Sequence, residues 1–153
     1  MEKMSKRSKL STEEFISNSP EETRAWGKRL AQRLGDRECI LLVGDLGAGK
    51  TTLVKGIAEE LGIDPNAVIS PTFVLIREHH GKIPLIHADA YRTTDPNEFI
   101  EVGLSEYLDQ PGIVVIEWGD KLTRLVPANA ILIEIEILSE SQRRISLSQD
   151  AQA

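Results

Sequence analysis

The stretch GDLGAGKT, Gly44 to Thr51, constrains this chain more than any other. It satisfies the pattern G-x-x-x-x-G-K-[S/T] at every fixed position. The flanks agree. The apolar run ECILLV leads into it, and the amphipathic stretch KTTLVKGIAEEL leads out. A buried strand, a glycine turn and a helix form the opening unit of an α/β sheet protein. Gly47 and Gly49 permit a backbone path that a side chain would block. Successive N–H groups then point inward and cradle phosphate oxygens, helped by the positive end of the following helix. On this reading Asp45, Leu46, Gly47, Ala48, Gly49, Lys50, Thr51 and Thr52 wrap the phosphates of a nucleotide. Lys50 brings its charge to the β- and γ-phosphates, and the Thr51 hydroxyl is placed to ligate Mg2+.

A second stretch, GIVVIEWGD, runs from Gly112 to Asp120. Its apolar run suits a strand buried on both faces, yet the run ends in Glu117. LIHADAY ends in the same way, with Asp89 after an apolar run. In an open α/β sheet, ligands sit beyond the carboxyl ends of the strands. A buried carboxylate is costly unless it is paired or on a metal. A Mg2+ beside Thr51 would relieve that cost. One acid could hold the ion and the other could polarise the attacking water; spacing does not assign which. Asp120 is expected to cap a helix over KLTRLV.

The remaining pattern fills in one domain. LSTEEFIS predicts a first strand. Ser19, Pro20 and Glu22 form a capping box ahead of a helix with Ala25, Leu30 and Leu34 on one side and Gly35 as its stop. TFVLIREH and IPLIHADAY flank the turn HGK and predict a hairpin. DPNEFIEVGLSEYLD holds short helices capped by Asp95. AILIEIEIL alternates strictly, with Glu134 and Glu136 on the wet face, and RRISLSQ is its partner. The expected fold class is α/β, a P-loop NTPase fold. It is a three-layer sandwich around a mixed, mainly parallel sheet with antiparallel hairpins. With 153 residues, one domain over 9–148 is expected, between a loose arm at 1–8 and a tail at 149–153.

Charge and composition narrow the function. A formal net charge of −6 argues against a free-standing nucleic-acid binder. No apolar run is long enough to span a bilayer, and no apolar stretch follows the charged N-terminus, so a cytoplasmic protein without a membrane role is expected. The single cysteine, Cys39, excludes an internal disulfide and is expected in the core. His79 and His80 fall in a hairpin turn and suit a wet, structural role. His87 shares a strand face with Asp89. No Asn-Lys-x-Asp element for guanine is present. A small-molecule kinase, with Arg77, Arg92 or Arg124 recruited over the phosphate, is an alternative. So is a nucleotide-gated adaptor that hydrolyses ATP negligibly alone.

GDLGAGKTT, SPTF, HADAYR and IEWGDK, in that order and in a chain of this length, resemble the TsaE (YjeE) family. The resemblance covers about the whole chain from first strand to last hairpin. It implies the ATPase subunit of the bacterial machinery that makes N6-threonylcarbamoyladenosine in tRNA. It implies ATP, ADP and Mg2+ as cofactors. It also implies TsaD, the transferase, and TsaB, its paralogue, as partners, with tRNA met only through that complex. The ATPase would not transfer the threonylcarbamoyl group; it would let the assembly turn over repeatedly. Lys50, Asp89 and Glu117 would be catalytic, Thr51 and Glu117 would flank the metal, and Ser70 and Thr72 would lie in a switch-like segment with Pro71 and Phe73. Arg92 and Trp118 could touch nucleotide or partner. HADAYR departs from the family in having small residues at Ala88 and Ala90, which bears on packing more than on chemistry.

Overall fold

The computed structural model describes residues 10–45, 47–69, 75–92 and 94–149. Leu46, Ser70, Pro71, Thr72, Phe73 and the N-terminal arm therefore lie outside the described residues. In chain order the elements are strand β1 (Glu13–Ser17), helix α1 (Pro20–Gln32), β2 (Arg37–Gly44), α2 (Lys50–Glu60), β3 (Ile76–His79), β4 (Leu85–Asp89), α3 (Asn97–Glu101), α4 (Leu104–Leu108), β5 (Gly112–Glu117), β6 (Ile131–Ile137) and β7 (Arg143–Gln149). Two 3-10 helices add to these, at Pro65–Ala67 and Gly119–Leu125.

The strands form a single sheet in the order β1-β7-β6-β2-β5-β4-β3. The four central strands, β6, β2, β5 and β4, are mutually parallel. Antiparallel pairs close both edges: β6 with β7, β7 with β1, and β4 with β3. This is the mixed, centrally parallel α/β sheet that the sequence predicts. Helices lie on both faces, which is why β5 is buried along its whole length.

Period two sorts the strand side chains into two cores. Ile40, Leu42, Leu85, Ile113 and Val115 pack with Leu30, Leu53 and Ile57 of α1 and α2. Leu41, Ile86, Ala88, Val114 and Ile116 pack with Phe99, Leu104 and Leu122 on the other side. The alternation has a direct consequence for function. His87, Asp89 and Glu117 share parity with Leu85, Ile113 and Val115, so they fall on the α2 side of the sheet. Asp89 and Glu117 are neighbours in the β4–β5 register. The small Ala88 and Ala90 are both buried in the second core, away from that face.

Two glycines set how closely α1 and α2 approach. A Cβ on Gly27 would meet the Leu53 carbonyl oxygen at 2.4 Å, and one on Gly56 would meet the Arg24 oxygen at 2.0 Å. Backbone-to-backbone contact of this kind pins α2, and with it the glycine loop, against α1.

Local expectations are met in part. Ser19 caps α1, its hydroxyl accepting from Glu22 N at 3.1 Å, while Glu22 Oε1 accepts from Asn18 N at 2.9 Å. Asp95 Oδ1 accepts from Asn97 N at 3.0 Å ahead of α3. Glu134 and Glu136 are exposed as the alternation requires. Other expectations fail. The buried face of α1 runs through Thr23, Trp26, Gly27, Leu30 and Ala31, and Ala25 is exposed. That helix also closes before Gly35. Arg33 N and Leu34 N bond three residues back, to Leu30 O and Ala31 O, which tightens the last turn. Asp120 lies inside the second 3-10 helix, whose N-cap is Trp118. Cys39 is buried, and burial beside Glu38 pushes its thiol up to about 12.

Candidate active site

The glycine loop leaves the carboxyl end of β2 and delivers Lys50 as the first residue of α2. Gly47 and Gly49 take φ of 81° and 108°, the left-handed region open to glycine. Lys50 is only 5 % exposed. Its ammonium donates to the carbonyl of Gly44 at 2.6 Å and to that of Asp45 at 3.0 Å. The Trp118 ring lies 4.3 Å away, a cation–π contact. Burial pushes the Lys50 pKa down, while Glu117, Asp89 and Asp45 pull it back up. The lysine is thus a cation that is buried among partners it can exchange.

Beneath the start of α2, Glu117 stands at the end of β5 and is 3 % exposed. Its Oε2 accepts from the Thr51 hydroxyl at 3.2 Å. The same oxygen lies 2.5 Å from Nε2 of His87, a fully buried ring. Against an ionised carboxylate Nε2 is the donor, and Nδ1 is buried with no partner among the described residues. Three elements, α2, β4 and β5, therefore converge on one carboxylate. An oxygen pair such as Glu117 and Thr51 suits a hard divalent cation. Among the described residues, no group of three or more His, Cys, Asp or Glu is arranged to hold a metal without further donors.

Trp118 follows at once, with φ 60°, as the sole non-glycine residue of positive φ among those described. Its N–H bonds the Leu42 carbonyl at 2.7 Å. This bend turns the indole over the loop, where it packs on Tyr91 with ring centroids 4.9 Å apart. Asp89 Oδ1 accepts from Tyr91 N at 2.8 Å, which fixes the turn that presents Tyr91 and Arg92.

The result is a cleft of about 560 Å³. It brings together Gly47, Gly49, Lys50, Thr51 and Thr52 with Asp89, Arg92, Glu117 and Trp118. Asp45 and Ala48 are not in its lining: Asp45 contributes a carbonyl to Lys50, and Ala48 is buried behind the loop. Tyr91 lines the cleft as well. His87 touches Glu117 directly, a contact that its strand parity hinted at. Arg143 was missed entirely: it donates to the loop carbonyls of Ala48 and Gly47 at 3.1 and 3.3 Å. No local pattern links it to a loop 95 residues earlier. His79 was expected to be wet; it sits half-buried at the end of β3, its Nε2 buried with no partner among the described residues, while His80 is exposed.

Comparison with known proteins places the chain in a family. The family profile described as "TsaE: Threonylcarbamoyl adenosine biosynthesis protein TsaE" matches residues 17–145. A tRNA threonylcarbamoyladenosine biosynthesis protein TsaE of Bacillus subtilis (strain 168) is 40 % identical over 131 residues, covering 85 % of this chain and 81 % of the relative. Its counterpart in Aquifex aeolicus (strain VF5) is 41 % identical over 136 residues, covering 88 % and 94 %. The crystal structure of Bacillus subtilis YdiB superposes with a TM-score of 0.75 at 32 % identity, covering 94 % of this chain and 89 % of that one. With a profile match across nearly every described element, the chain belongs to the TsaE family.

Proposed function

We propose that this protein binds ATP with Mg2+ on the glycine loop and hydrolyses it to ADP and phosphate. The hydrolysis would serve tRNA threonylcarbamoyladenosine biosynthesis. The observation that carries this reading is the Thr51–Glu117 hydrogen bond set directly beside the buried Lys50. Bound there, Mg2+ would neutralise phosphate charge. Thr51 and Glu117 would hold it, and His87 would keep Glu117 turned toward Thr51. Lys50 would leave the Gly44 and Asp45 carbonyls for the phosphates, a stronger, charged acceptor. Asp89, next to Glu117 in the sheet, would orient the attacking water. Arg92 at the cleft would meet phosphate or a partner.

The protein would act in the cytoplasm with the TsaB and TsaD subunits, and tRNA would be met only through them. The net charge of −6 fits a protein that does not bind RNA by itself. No helix among the described residues is long and apolar enough to cross a membrane. The test is phosphate release from magnesium-ATP by the wild type and by Lys50→Ala, alone and with TsaB and TsaD. Slow release that the subunits accelerate, and that is lost in Lys50→Ala, supports the reading. Equal release from both proteins overturns it. Phosphate transferred to an acceptor instead of water would make the protein a small-molecule kinase.

A further inference from the structure

A loop that offers N–H groups to an anion must turn its carbonyls the other way, and those carbonyls need partners of their own. Here two cations supply them. Lys50 takes Gly44 and Asp45. Arg143, the first residue of β7, takes two more: Nη2 donates to Gly47 O and Nε to Ala48 O. Its remaining nitrogen, Nη1, donates to the carbonyls of Ser139, Glu140 and Gln142 in the β6–β7 turn. One guanidinium thus gathers five carbonyls from two segments far apart in sequence.

We propose that Arg143 is a positioning residue. It sets the glycine loop in its anion-receiving shape and locks that shape to the β6–β7 turn. The proposal rests on the reading of the loop as a nucleotide site. Lys50 is the exchangeable partner of the loop, because a polyphosphate would draw it away. Arg143 is the permanent one, because it stands on the far side of the loop and outside the cleft that holds Lys50, Thr51 and Glu117. A trans peptide turns its N–H opposite to the carbonyl before it. Holding Ala48 O therefore points the Gly49 N–H away from Arg143. Holding Gly47 O aims the Ala48 N–H at Asp45 O, where it closes a turn at 3.0 Å. Two successive peptide planes are fixed by one side chain.

The chemistry needs arginine. Five N–H donors in a planar fork reach both segments at once, whereas a lysine ammonium is a single point charge. Its neighbour Arg144 plays no part in this, being paired with Glu136 on the exposed face. A small cleft of about 130 Å³ separates the loop from the turn and is lined by Ser19, Thr23, Gly49, Thr52, Glu140 and Arg143. Loop and turn both line it. Fixing the loop should therefore be felt at the turn.

The test is calorimetric titration of the full-length protein with magnesium-ADP, set beside hydrogen exchange with and without that ligand. Arg143→Gln and Arg143→Lys are both expected to weaken magnesium-ADP by about tenfold or more, the loss of charge-assisted bonds that no other side chain replaces. Arg144→Gln is expected to bind as wild type does. Magnesium-ADP should slow exchange at residues 139–143 in the wild type but not in Arg143→Lys. Arg143→Lys keeps the charge and the aliphatic stem, so it reads the effect even where Arg143→Gln folds poorly. Affinity within about twofold of wild type in Arg143→Lys overturns the proposal, as does equal slowing of the turn in both proteins. A wild type that binds no magnesium-ADP would overturn the nucleotide reading itself, and this inference with it. Normal wild-type binding with unaffected variants would remove the Arg143 role alone.

Discussion

One oxygen of Glu117 serves two donors: Oε2 lies 3.2 Å from the Thr51 hydroxyl and 2.5 Å from His87 Nε2. The contact joins the first turn of α2 to β4 and β5 beneath it. Substitutions at Glu117 should therefore separate charge from fold. Glu117→Gln keeps an acceptor for both donors, so stability should change by less than about 1 kcal/mol. Hydrolysis should fall by about a hundredfold or more, because the anionic oxygen for the metal is gone. Glu117→Ala leaves His87 buried and unpaired, and should cost about 1–3 kcal/mol as well. Urea unfolding and phosphate release, measured on both variants, check the two halves separately.

Lys50 and Trp118 make a second linked pair. The ammonium sits 4.3 Å from the indole centroid while it holds the loop carbonyls. When a nucleotide draws Lys50 away, the ring loses that neighbour. In a Trp26→Phe background, which leaves Trp118 as the only tryptophan, magnesium-ATP should change the emission. In Lys50→Met the change should vanish and affinity should drop by about a hundredfold. The fold should persist at a cost of about 1–3 kcal/mol, because the Gly44 and Asp45 carbonyls lose their donor.

Gly56 tests the packing that holds the loop in place. A Cβ there would meet the Arg24 carbonyl carbon at 2.9 Å and its oxygen at 2.0 Å, both backbone atoms that cannot step aside cheaply. Gly56→Ala gains up to about 1 kcal/mol in helix propensity. The overpacking should outweigh that gain and destabilise the protein by about 1–3 kcal/mol net. Thermal or denaturant unfolding gives the answer. A stabilised Gly56→Ala variant would mean that α1 and α2 do not touch at this point.

His79 gives the fold an acid-side weakness. Burial lowers its pKa from the ordinary value of 6.5, and His87, Arg77 and His80 add to the effect. The folded state then binds fewer protons than the unfolded chain below about pH 6.5. This contribution to stability is intact above that pH and is lost as the pH falls toward the lowered folded value. His79→Leu should flatten the decline below about pH 6.5 relative to wild type. Parallel declines in the two proteins would remove His79 as a cause.

Much of the site was legible because its signals are local. The glycine spacing, the apolar run before it and the helical period after it all lie within one short segment. Glu117 and Asp89 stood out because each ends an apolar run; which side of the sheet they face came only with the fold. The misses share a different cause. Arg143 reaches the loop only through the fold, across the β6–β7 hairpin. The Ala25 assignment failed because Gly27 and Gly56 let two backbones meet, which turns α1 toward Trp26 and away from Ala25. The Asp120 cap failed because Trp118 adopts a left-handed conformation, rare for a bulky residue, and starts the 3-10 helix earlier. His79 looked wet on the edge of a polar turn, yet tertiary packing covers one of its nitrogens.

The most direct measurement of the central claim uses manganese as a spin probe in place of magnesium. Paramagnetic resonance of Mn2+ with ADP should show the ion immobilised by the wild-type protein. Glu117→Gln should still bind ADP by calorimetry but release the ion. If Mn2+–ADP is held equally well without the Glu117 charge, or is not held by the folded wild type at all, then Thr51 and Glu117 do not form the metal side of a nucleotide site.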